Sequence, residues 1–175
     1  MPISSQRLER LERLERPERL EKLDSTDIKI LNALQANARI SNAELAAQVC
    51  LSQTPCLRRL RKLEQSGLIE QYSARLNHSM LGINVSAFVF VKLNKNTSQN
   101  GAEFEAAIQT FPEVLECCVL AGVHDYALRV AMADLQAFEL FLKGKLANVH
   151  QVENIESTII LNQTMARLSP QLNSQ

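Results

Sequence analysis

Hydrophobic positions in residues 24–67 recur at the spacing of α-helices and predict three short helices in succession. The first is opened by Asp24, with Asp27 three residues later, and runs to about residue 35. The apolar faces of the three predicted helices are Ile28, Ile30, Leu31 and Leu34, then Leu45, Ala46 and Val49, then Leu57, Leu60 and Leu63. Amphipathic helices of this length need a shared core, so the segment predicts a compact helical domain.

The second and third helices are joined closely enough to predict a helix-turn-helix. Ser41 precedes the second helix and Glu44 follows three residues later, which is the spacing of a capping box. Residues 50–51 form the turn, Ser52 precedes the third helix, and Gly67 is placed to end it. In helix-turn-helix proteins the second helix of the pair lies in the major groove of DNA.

The third helix is strongly basic, because residues 52–65 contain four Arg or Lys and one acidic residue, Glu64. The basic side chains are Arg58, Arg59, Arg61 and Lys62, and all fall outside the predicted apolar stripe. Such side chains suit contacts with DNA phosphates or guanine edges. Two alternatives stay open for Arg59 and Lys62. Their charges form a solvated surface, or they pair with Glu64 or Glu70.

From residue 85 onward the hydrophobic pattern changes to runs rich in β-branched and aromatic residues, typical of β-strands, with two helical segments between. The predicted strands are residues 85–93, 114–121, 126–132 and 152–161, and the predicted helices are residues 102–111 and 135–146. In the second helix the predicted apolar stripe is Leu135, Phe138, Leu142 and Leu146. The order βαββαβ is that of the ferredoxin-like fold, in which helices cover one face of an antiparallel sheet. Two strands are apolar on both faces, so we expect a second copy of the sheet to cover the other face.

Shorter segments connect and precede these elements. Residues 68–76 predict a strand or short hairpin, the wing of a winged helix-turn-helix. Residues 77–84 predict a hinge linker, in which Gly82 makes a turn. Residues 1–23 repeat Arg-Leu-Glu, with leucines that spiral around a helix instead of forming one stripe. We expect those residues to form an exposed, charged helical arm.

The formal net charge is zero overall but is unevenly distributed along the chain. Residues 1–23 and 24–76 carry net charges of +1 and +2, whereas residues 77–175 carry −3. This distribution fits a protein in which only the front half binds DNA. No run approaches the ~20 apolar residues of a membrane span, and the first residues lack a signal-peptide core. We therefore expect no membrane partner and a cytoplasmic location.

The residues that carry most enzyme and metal chemistry show no recognisable arrangement. The four cysteines, Cys50, Cys56, Cys117 and Cys118, lack the paired spacing of metal ligands and are expected to be reduced. Cys56 is expected to pack in the core, whereas a thiol-sensing role for Cys117 and Cys118 stays open. With three histidines and no nucleophile–base pair, we predict no catalytic residue, no metal site and no cofactor.

Four stretches carry a resemblance to a known family. They are LDSTDIKILNALQANARISNAELA, LSQTPCLRRLRKLEQSGLIEQYSARL, FPEVLECCVLAGVHDYALRV and ESTIIL, and together they span about residues 23–168. The chain resembles the Lrp/AsnC (leucine-responsive and asparagine, or feast/famine) transcriptional regulators. The resemblance implies an α+β chain, with a winged helix-turn-helix over residues 24–76 and a ferredoxin-like effector and oligomerisation domain over residues 85–168. Residues 169–175 are then a tail.

The resemblance also implies partners and site residues. The partners are double-stranded DNA, further copies of the chain, and a small effector, usually an amino acid, in clefts between dimers. The dimers pair through the sheet and gather into octamers or other even assemblies. The residues assigned to DNA are Ser41, Asn42, Ser52, Gln53, Thr54, Arg58, Arg59 and Lys62. Those assigned to the effector are Gly122, Val123, His124, Asp125, Tyr126 and Thr158.

The effector turn departs from the common family pattern at two positions. Val123 stands where an acid usually follows the glycine, and His124 stands where an aromatic residue is commoner. Asp125 suits a ligand ammonium group, or it caps the hairpin turn as such residues often do. His124 is either a ligand contact or an exposed turn histidine.

Two other functions remain as alternatives to an effector-responsive regulator. A DNA-compacting architectural protein would bind DNA without an effector. A decarboxylase of the haem pathway is a further alternative, since some chains of this architecture resemble such enzymes. The basic third helix argues against that enzyme, because a decarboxylase has no need of a cationic helical face.

Overall fold

The computed structural model describes residues 23–167 and 169–172. They fold as two compact units, one formed by residues 23–75 with the end of the chain, and one formed by Leu76–Thr164. The arm predicted over residues 1–23 lies outside the described residues except for Leu23, as do residues 173–175 of the predicted tail. Among the described helices, none has the length and apolar character needed to cross a bilayer.

The first unit contains three helices, as the hydrophobic periodicity predicted. They are α1, Ser25–Ala36, α2, Asn42–Gln48, and α3, Gln53–Gln65. The capping box predicted at Ser41 is present, and Asp24 and Asp27 form a second one at the start of α1. One buried core joins the helices, formed by Ile30, Leu31, Ala33, Leu45, Ala46, Val49, Cys56, Leu60 and Leu63. All three helices contribute to it, so the packing of each depends on the other two.

Two backbone positions with positive φ shape the helix-turn-helix. Cys50 lies between α2 and α3 with φ of 57°, a left-handed conformation that few residues other than glycine adopt. The next residue, Leu51, donates its backbone N–H to the carbonyl of Ala46 at 2.9 Å, which closes the turn. Gly67 has φ of 77° directly after the end of α3, as predicted for a helix stop.

The strand or hairpin predicted over residues 68–76 is wrong, because that segment makes no strand pairing. A strand requires a hydrogen-bonded partner, and the hydrophobic pattern alone does not supply one. Instead, the segment is attached to α3 by side chains. Ile69 packs against the helical core, and the Tyr72 hydroxyl donates a hydrogen bond to Oε1 of Glu64 at 2.9 Å.

The second unit is an antiparallel sheet in the predicted βαββαβ order. Its strands are β1, Val85–Leu93, β2, Val114–Val119, β3, Tyr126–Met132, and β4, Val152–Ile159. They lie in the order β2-β3-β1-β4, and each neighbouring pair is antiparallel. The predicted linker before β1 contains a 3₁₀ turn, Ser79–Leu81, followed by Gly82 with φ of 74°. The turn predicted at Gly82 is therefore confirmed.

The two helices of this unit differ in detail from the prediction. The first, α4, is Ser98–Ile108, and it begins four residues earlier than expected because Thr97 caps it by accepting a hydrogen bond from the N–H of Asn100. The second, α5, is Leu135–Leu140 and continues into a π-helical turn, Phe141–Lys145. Phe141 and Leu146, five residues apart across that wider turn, are both buried, whereas Leu135 at the start of α5 is 60% exposed, contrary to the predicted stripe.

The two faces of the sheet have different environments. Alternate residues of β1 and β3 point toward the helices and form the core with Phe104, Ile108, Phe138, Phe141 and Leu146. The opposite face, called the open face below, is exposed to solvent at Phe88, Cys118 and Thr158. Phe88 lies at its centre, paired with Arg129 on β3 and Thr158 on β4, and is 42% exposed.

Candidate nucleic-acid interface and effector turn

One side of α3 presents a stripe of polar and basic side chains around a shallow recess. The recess has a volume of about 400 Å³ and is lined by Thr54, Leu57, Arg58, Arg61, Lys62 and Gln65. These positions are three or four residues apart, so they lie on one helical face, called the α3 stripe below. Arg61 was recognised as one of the basic residues outside the apolar stripe but was not assigned to DNA, and Gln65 was not considered.

The other side of α3 fixes the direction in which that stripe points. Cys56, Leu60 and Leu63 are buried against α1 and α2, and the packing predicted for Cys56 is confirmed. Leu57 was predicted to be buried with them. It is half-buried and lies in the α3 stripe instead, because residue 56 and not residue 57 aligns with Leu60 and Leu63 over the helical repeat.

The N-terminus of α3 is exposed and keeps its donors available. Ser52 is the N-cap residue, as its position in the sequence predicted. Its hydroxyl, however, makes no capping hydrogen bond. Gln53 and Thr54 are exposed in the first turn. Because the first amides of a helix have no partner within the helix, this end can donate hydrogen bonds to a phosphate.

The N-terminus of α2 is arranged differently. The Ser41 hydroxyl donates to Oε2 of Glu44 at 2.7 Å and accepts a hydrogen bond from the N–H of Glu44 at 3.2 Å. These bonds to Ser41 lower the pKa of the Glu44 carboxyl. The Ser41 hydroxyl is therefore used in the cap, whereas the adjacent Asn42, also predicted to contact DNA, is exposed.

Arg59 is directed away from the α3 stripe. Its Nη1 atom lies 2.6 Å from Oδ2 of Asp24 and 2.9 Å from Oδ1 of Asp27, the two acids that cap α1. The sequence left open a salt bridge from Arg59 to Glu64 or Glu70. The acids that bind it are instead more than thirty residues away in the chain, where no local spacing rule could identify them.

Asp125 is held inside the effector turn by hydrogen bonds to its own protomer. Its Oδ2 atom accepts the backbone N–H of Leu93 at 2.9 Å, and its Oδ1 atom accepts Nδ2 of Asn96 at 2.7 Å. The residue is 8% exposed. This geometry favours a role in holding the turn over one as the ligand of an ammonium group.

His124 folds back over the open face and is not the exposed turn histidine that the sequence allowed. Its ring lies 5.3 Å from that of Phe90, and its side chain is 20% exposed. Its Nε2 atom lies 3.2 Å from Oε2 of Glu156. Thr158 lies on the same face, two residues farther along β4, so the structure brings His124 and Thr158 to one surface.

Tyr126 points to the opposite face of the sheet. Its hydroxyl donates to Oε1 of Glu105 at 2.8 Å, and its ring packs 4.6 Å from that of Phe104. It lines a cleft of about 350 Å³ between α4 and β2, together with Cys117. The six predicted effector residues therefore do not converge within one protomer. Gly122 and the 82% exposed Val123 form the tip of the turn between the two groups.

Comparisons with known proteins agree with this two-part arrangement. A family model described as a winged helix-turn-helix DNA-binding domain matches residues 23–70, and one described as the Lrp/AsnC ligand-binding domain matches residues 86–169. The Bkd operon transcriptional regulator of Pseudomonas aeruginosa is 42% identical over 146 residues, covering 83% of this chain and 95% of the relative. The leucine-responsive regulatory protein of Salmonella typhimurium is 37% identical over 137 residues, covering 78% and 84%.

Solved structures show the same likeness. The crystal structure of a transcriptional regulator from Neisseria meningitidis in complex with L-Met superposes with a TM-score of 0.83 at 38% identity, covering 86% of this chain and 97% of that one. AsnC of Escherichia coli superposes with a TM-score of 0.76 at 26% identity, covering 84% and 97%. Each similarity extends over both units of the chain.

Proposed function

Because this chain belongs to the Lrp/AsnC family of DNA-binding transcriptional regulators, we propose that it binds DNA through the α3 stripe. It is a regulator with a ligand-binding domain, and its relatives are named regulators and not enzymes. The observation that carries the proposal is the stripe itself, in which Arg58, Arg61 and Lys62 surround one recess on one helical face. A cationic helical face of this kind suits phosphate and guanine contacts in the major groove.

The N-terminus of α3 supplies the second part of the proposed interface. Ser52, Gln53 and Thr54 offer hydroxyl, amide and backbone donors at the positive end of the helix dipole. Asn42 remains a candidate at the start of α2 because its side chain is exposed. Ser41 and Arg59 are not retained as direct contacts, since Glu44 and the α1 acids respectively bind their polar atoms.

We propose an amino acid as the effector, bound where the turn of residues 122–126 meets a neighbouring protomer. The family model for the second unit is described as ligand-binding, and the Neisseria structure contains L-Met. The exposed Val123 at the tip of the turn gives the site an apolar contact. His124 and Thr158 are candidates for polar contacts on the open face, whereas Asp125 acts by holding the turn.

The open face is proposed as the interface between two copies of the chain. Phe88 at 42% exposed and Phe90 beneath His124 lie on this face with Arg129, which pairs with Glu116 at 2.8 Å between Nη2 and Oε1. Large apolar side chains at the centre of a sheet face are stabilised when another sheet covers them. A dimer of this kind presents two α3 helices to two half-sites of one operator, and further pairing gives an even assembly.

Selection of DNA from a random duplex library tests the proposed DNA binding. The wild-type chain is expected to enrich a partly palindromic sequence, and fluorescence anisotropy then gives its Kd over a range of salt concentrations. The proposed function would be contradicted if no DNA sequence is enriched and the retention of DNA by the protein does not depend on the salt concentration. The selected duplex also serves as the defined probe for the variants described below.

A thermal-shift screen of the proteinogenic L-amino acids tests the effector separately. At a hundredfold excess over Kd, a ligand raises the free energy of unfolding by about 2.7 kcal/mol, which corresponds to a Tm rise of roughly 5 °C or more. The D-enantiomer of each positive compound is the matched control. If no L-amino acid raises Tm while the selected duplex is bound tightly, the chain is an architectural DNA-binding protein without this effector.

A further inference from the structure

One guanidinium joins the recognition helix to both acids of the α1 cap. The Arg59 Nη1 atom lies 2.6 Å from Asp24 and 2.9 Å from Asp27. Asp24 is the N-cap residue of α1, and Oδ1 of that side chain accepts the N–H groups of Thr26 at 2.9 Å and Asp27 at 2.8 Å. The Asp27 side chain reaches back to the N–H of Asp24 at 3.3 Å. Arg59 therefore binds a side-chain arrangement that is already fixed by the backbone.

Arg59 and Asp24 shift each other's pKa values. The backbone N–H of Asp27 contributes most to lowering the pKa of Asp24, and Arg59 lowers it further. In return, Asp27 and then Asp24 raise the pKa of Arg59. The Asp27 side chain is 18% exposed and that of Arg59 is 34% exposed, so the ion pair is partly shielded from water.

The position of Arg59 on α3 separates it from the α3 stripe. Adjacent helical residues are rotated by about 100° around the axis, so Arg58 and Arg59 point in different directions. Arg58 and Arg61 line the recess, whereas Arg59 lies over the N-terminus of α1. The contact falls near the middle of α3, while Cys56, Leu60 and Leu63 hold the same helix from its buried side. Together they fix the rotation of α3 about its own axis.

We infer that Arg59 is a positioning residue for DNA binding, which orients the α3 stripe by anchoring α3 to Asp24 and Asp27 without touching DNA. The inference rests on the proposed use of that stripe as the DNA-binding surface. It separates two arginines that are adjacent in the sequence. Arg58 places a positive charge in the proposed DNA interface, whereas Arg59 holds α3 in the orientation that exposes the α3 stripe.

The salt dependence of DNA binding distinguishes a positioning residue from a phosphate contact. We compare Arg59→Gln with Arg58→Gln as the matched variant, using the selected duplex and anisotropy at a temperature where circular dichroism shows both variants fully folded. Arg59→Gln is expected to raise Kd by roughly twofold to fivefold, the range available to partly exposed ion pairs, with the salt slope unchanged. Arg58→Gln is expected to lower the magnitude of that slope by about one unit.

Removing the two acids gives the sharpest test. In an Asp24→Asn, Asp27→Asn double variant the cap hydrogen bonds can persist, because Asn is as good an N-cap residue as Asp. Loss of two negative charges normally strengthens binding to DNA. A positioning role predicts the opposite, namely binding weaker than that of the wild-type chain, because the anchor of α3 is lost. Arg59→Lys is expected to restore part of the affinity.

Three results would overturn the inference. One is a salt slope reduced by about one unit in Arg59→Gln, which identifies a phosphate contact. Another is an unchanged Kd in Arg59→Gln with only Tm lowered, which identifies a role in stability alone. The third is tighter DNA binding by the Asn double variant. Failure of the wild-type chain to select any duplex contradicts the proposed function itself, and the inference with it.

Discussion

Asp125 in the turn before β3 accepts a hydrogen bond from the backbone N–H of Leu93 at the end of β1, with 2.9 Å between Oδ2 and the nitrogen. The backbone N–H of Asp125 donates in turn to the carbonyl of Val91 at 2.9 Å. Side chain and main chain thus tie the turn to the neighbouring strand. The effector is proposed to bind at this turn, so these two hydrogen bonds connect the proposed ligand site to β1, a central strand of the sheet.

Replacing Asp125 is therefore expected to destabilise the protein. Asp125→Ala leaves the Leu93 N–H without its partner in a buried site, which costs about 1–3 kcal/mol in the free energy of unfolding. Urea denaturation measures that difference. Asp134→Asn is the matched control, since Asp134 caps α5 from an exposed position and Asn caps equally well. Unchanged stability of Asp125→Ala with a lost effector response would instead identify Asp125 as a ligand contact.

The two cap serines of the helix-turn-helix are expected to respond differently to Ala. Ser41→Ala removes a formed capping box and should lower Tm by about 2–4 °C, since an N-cap serine contributes roughly 1 kcal/mol. Ser52→Ala removes a hydroxyl with no capping bond, so Tm should change little while Kd for DNA rises. Scanning calorimetry and anisotropy separate the two effects. A large loss of stability in Ser52→Ala would contradict this assignment.

The proposed dimer interface can be tested by placing a charge at its centre. Phe88→Glu buries a carboxylate against the partner sheet, which is strongly unfavourable, so sedimentation is expected to show a monomer. Leu140→Glu places the same charge at a site 64% exposed on α5 and should leave the dimer intact. A Phe88→Glu variant that remains dimeric would show that the open face is not the interface.

Cys117 is expected to be a slow nucleophile. Cys117 is an exposed residue that lines the cleft, and desolvation of its thiol there, followed by the nearby charges of Glu105 and Cys118, raises its pKa to about 11. At pH 8 the reactive thiolate is therefore a very small fraction, and alkylation should accelerate as pH rises toward that value. Iodoacetamide labelling of a Cys118→Ser variant, followed by peptide mass spectrometry, measures the rate. Rapid labelling of Cys117 at pH 8 would contradict this prediction and would support a thiol-sensing role.

Much of the fold could be predicted because it depends on local periodicity. Runs of β-branched and apolar residues predicted β1 and β3 with the bounds that the structure has, and spacing alone predicted the capping box at Ser41. Local patterns failed where the backbone departs from ideal repeats. Across the π-helical turn at Phe141–Lys145, the buried residues Phe141 and Leu146 are five positions apart, which a fixed helical period cannot anticipate.

The candidate sites were harder to predict than the fold because they depend on contacts between distant residues. Sequence placed Arg58 and Arg59 together as DNA contacts, although only the tertiary structure shows that Arg59 binds Asp24. Likewise, the family resemblance assigned five consecutive turn residues, with Thr158, to one effector site. His124 lies in the turn and packs on Phe90 of the open face, whereas Tyr126, the first residue of β3, packs on Phe104 on the opposite side of the sheet.

The central claim, that the α3 stripe binds DNA, is tested most directly by the salt dependence of binding in an Arg58→Ala, Arg61→Ala double variant. The plot of log Kd against log salt should lose about two units of slope relative to wild type, one for each phosphate contact removed. Lys143→Ala, which removes one exposed positive charge from the second unit, should leave the slope unchanged. Equal slopes for the double variant and the wild-type chain would contradict the account.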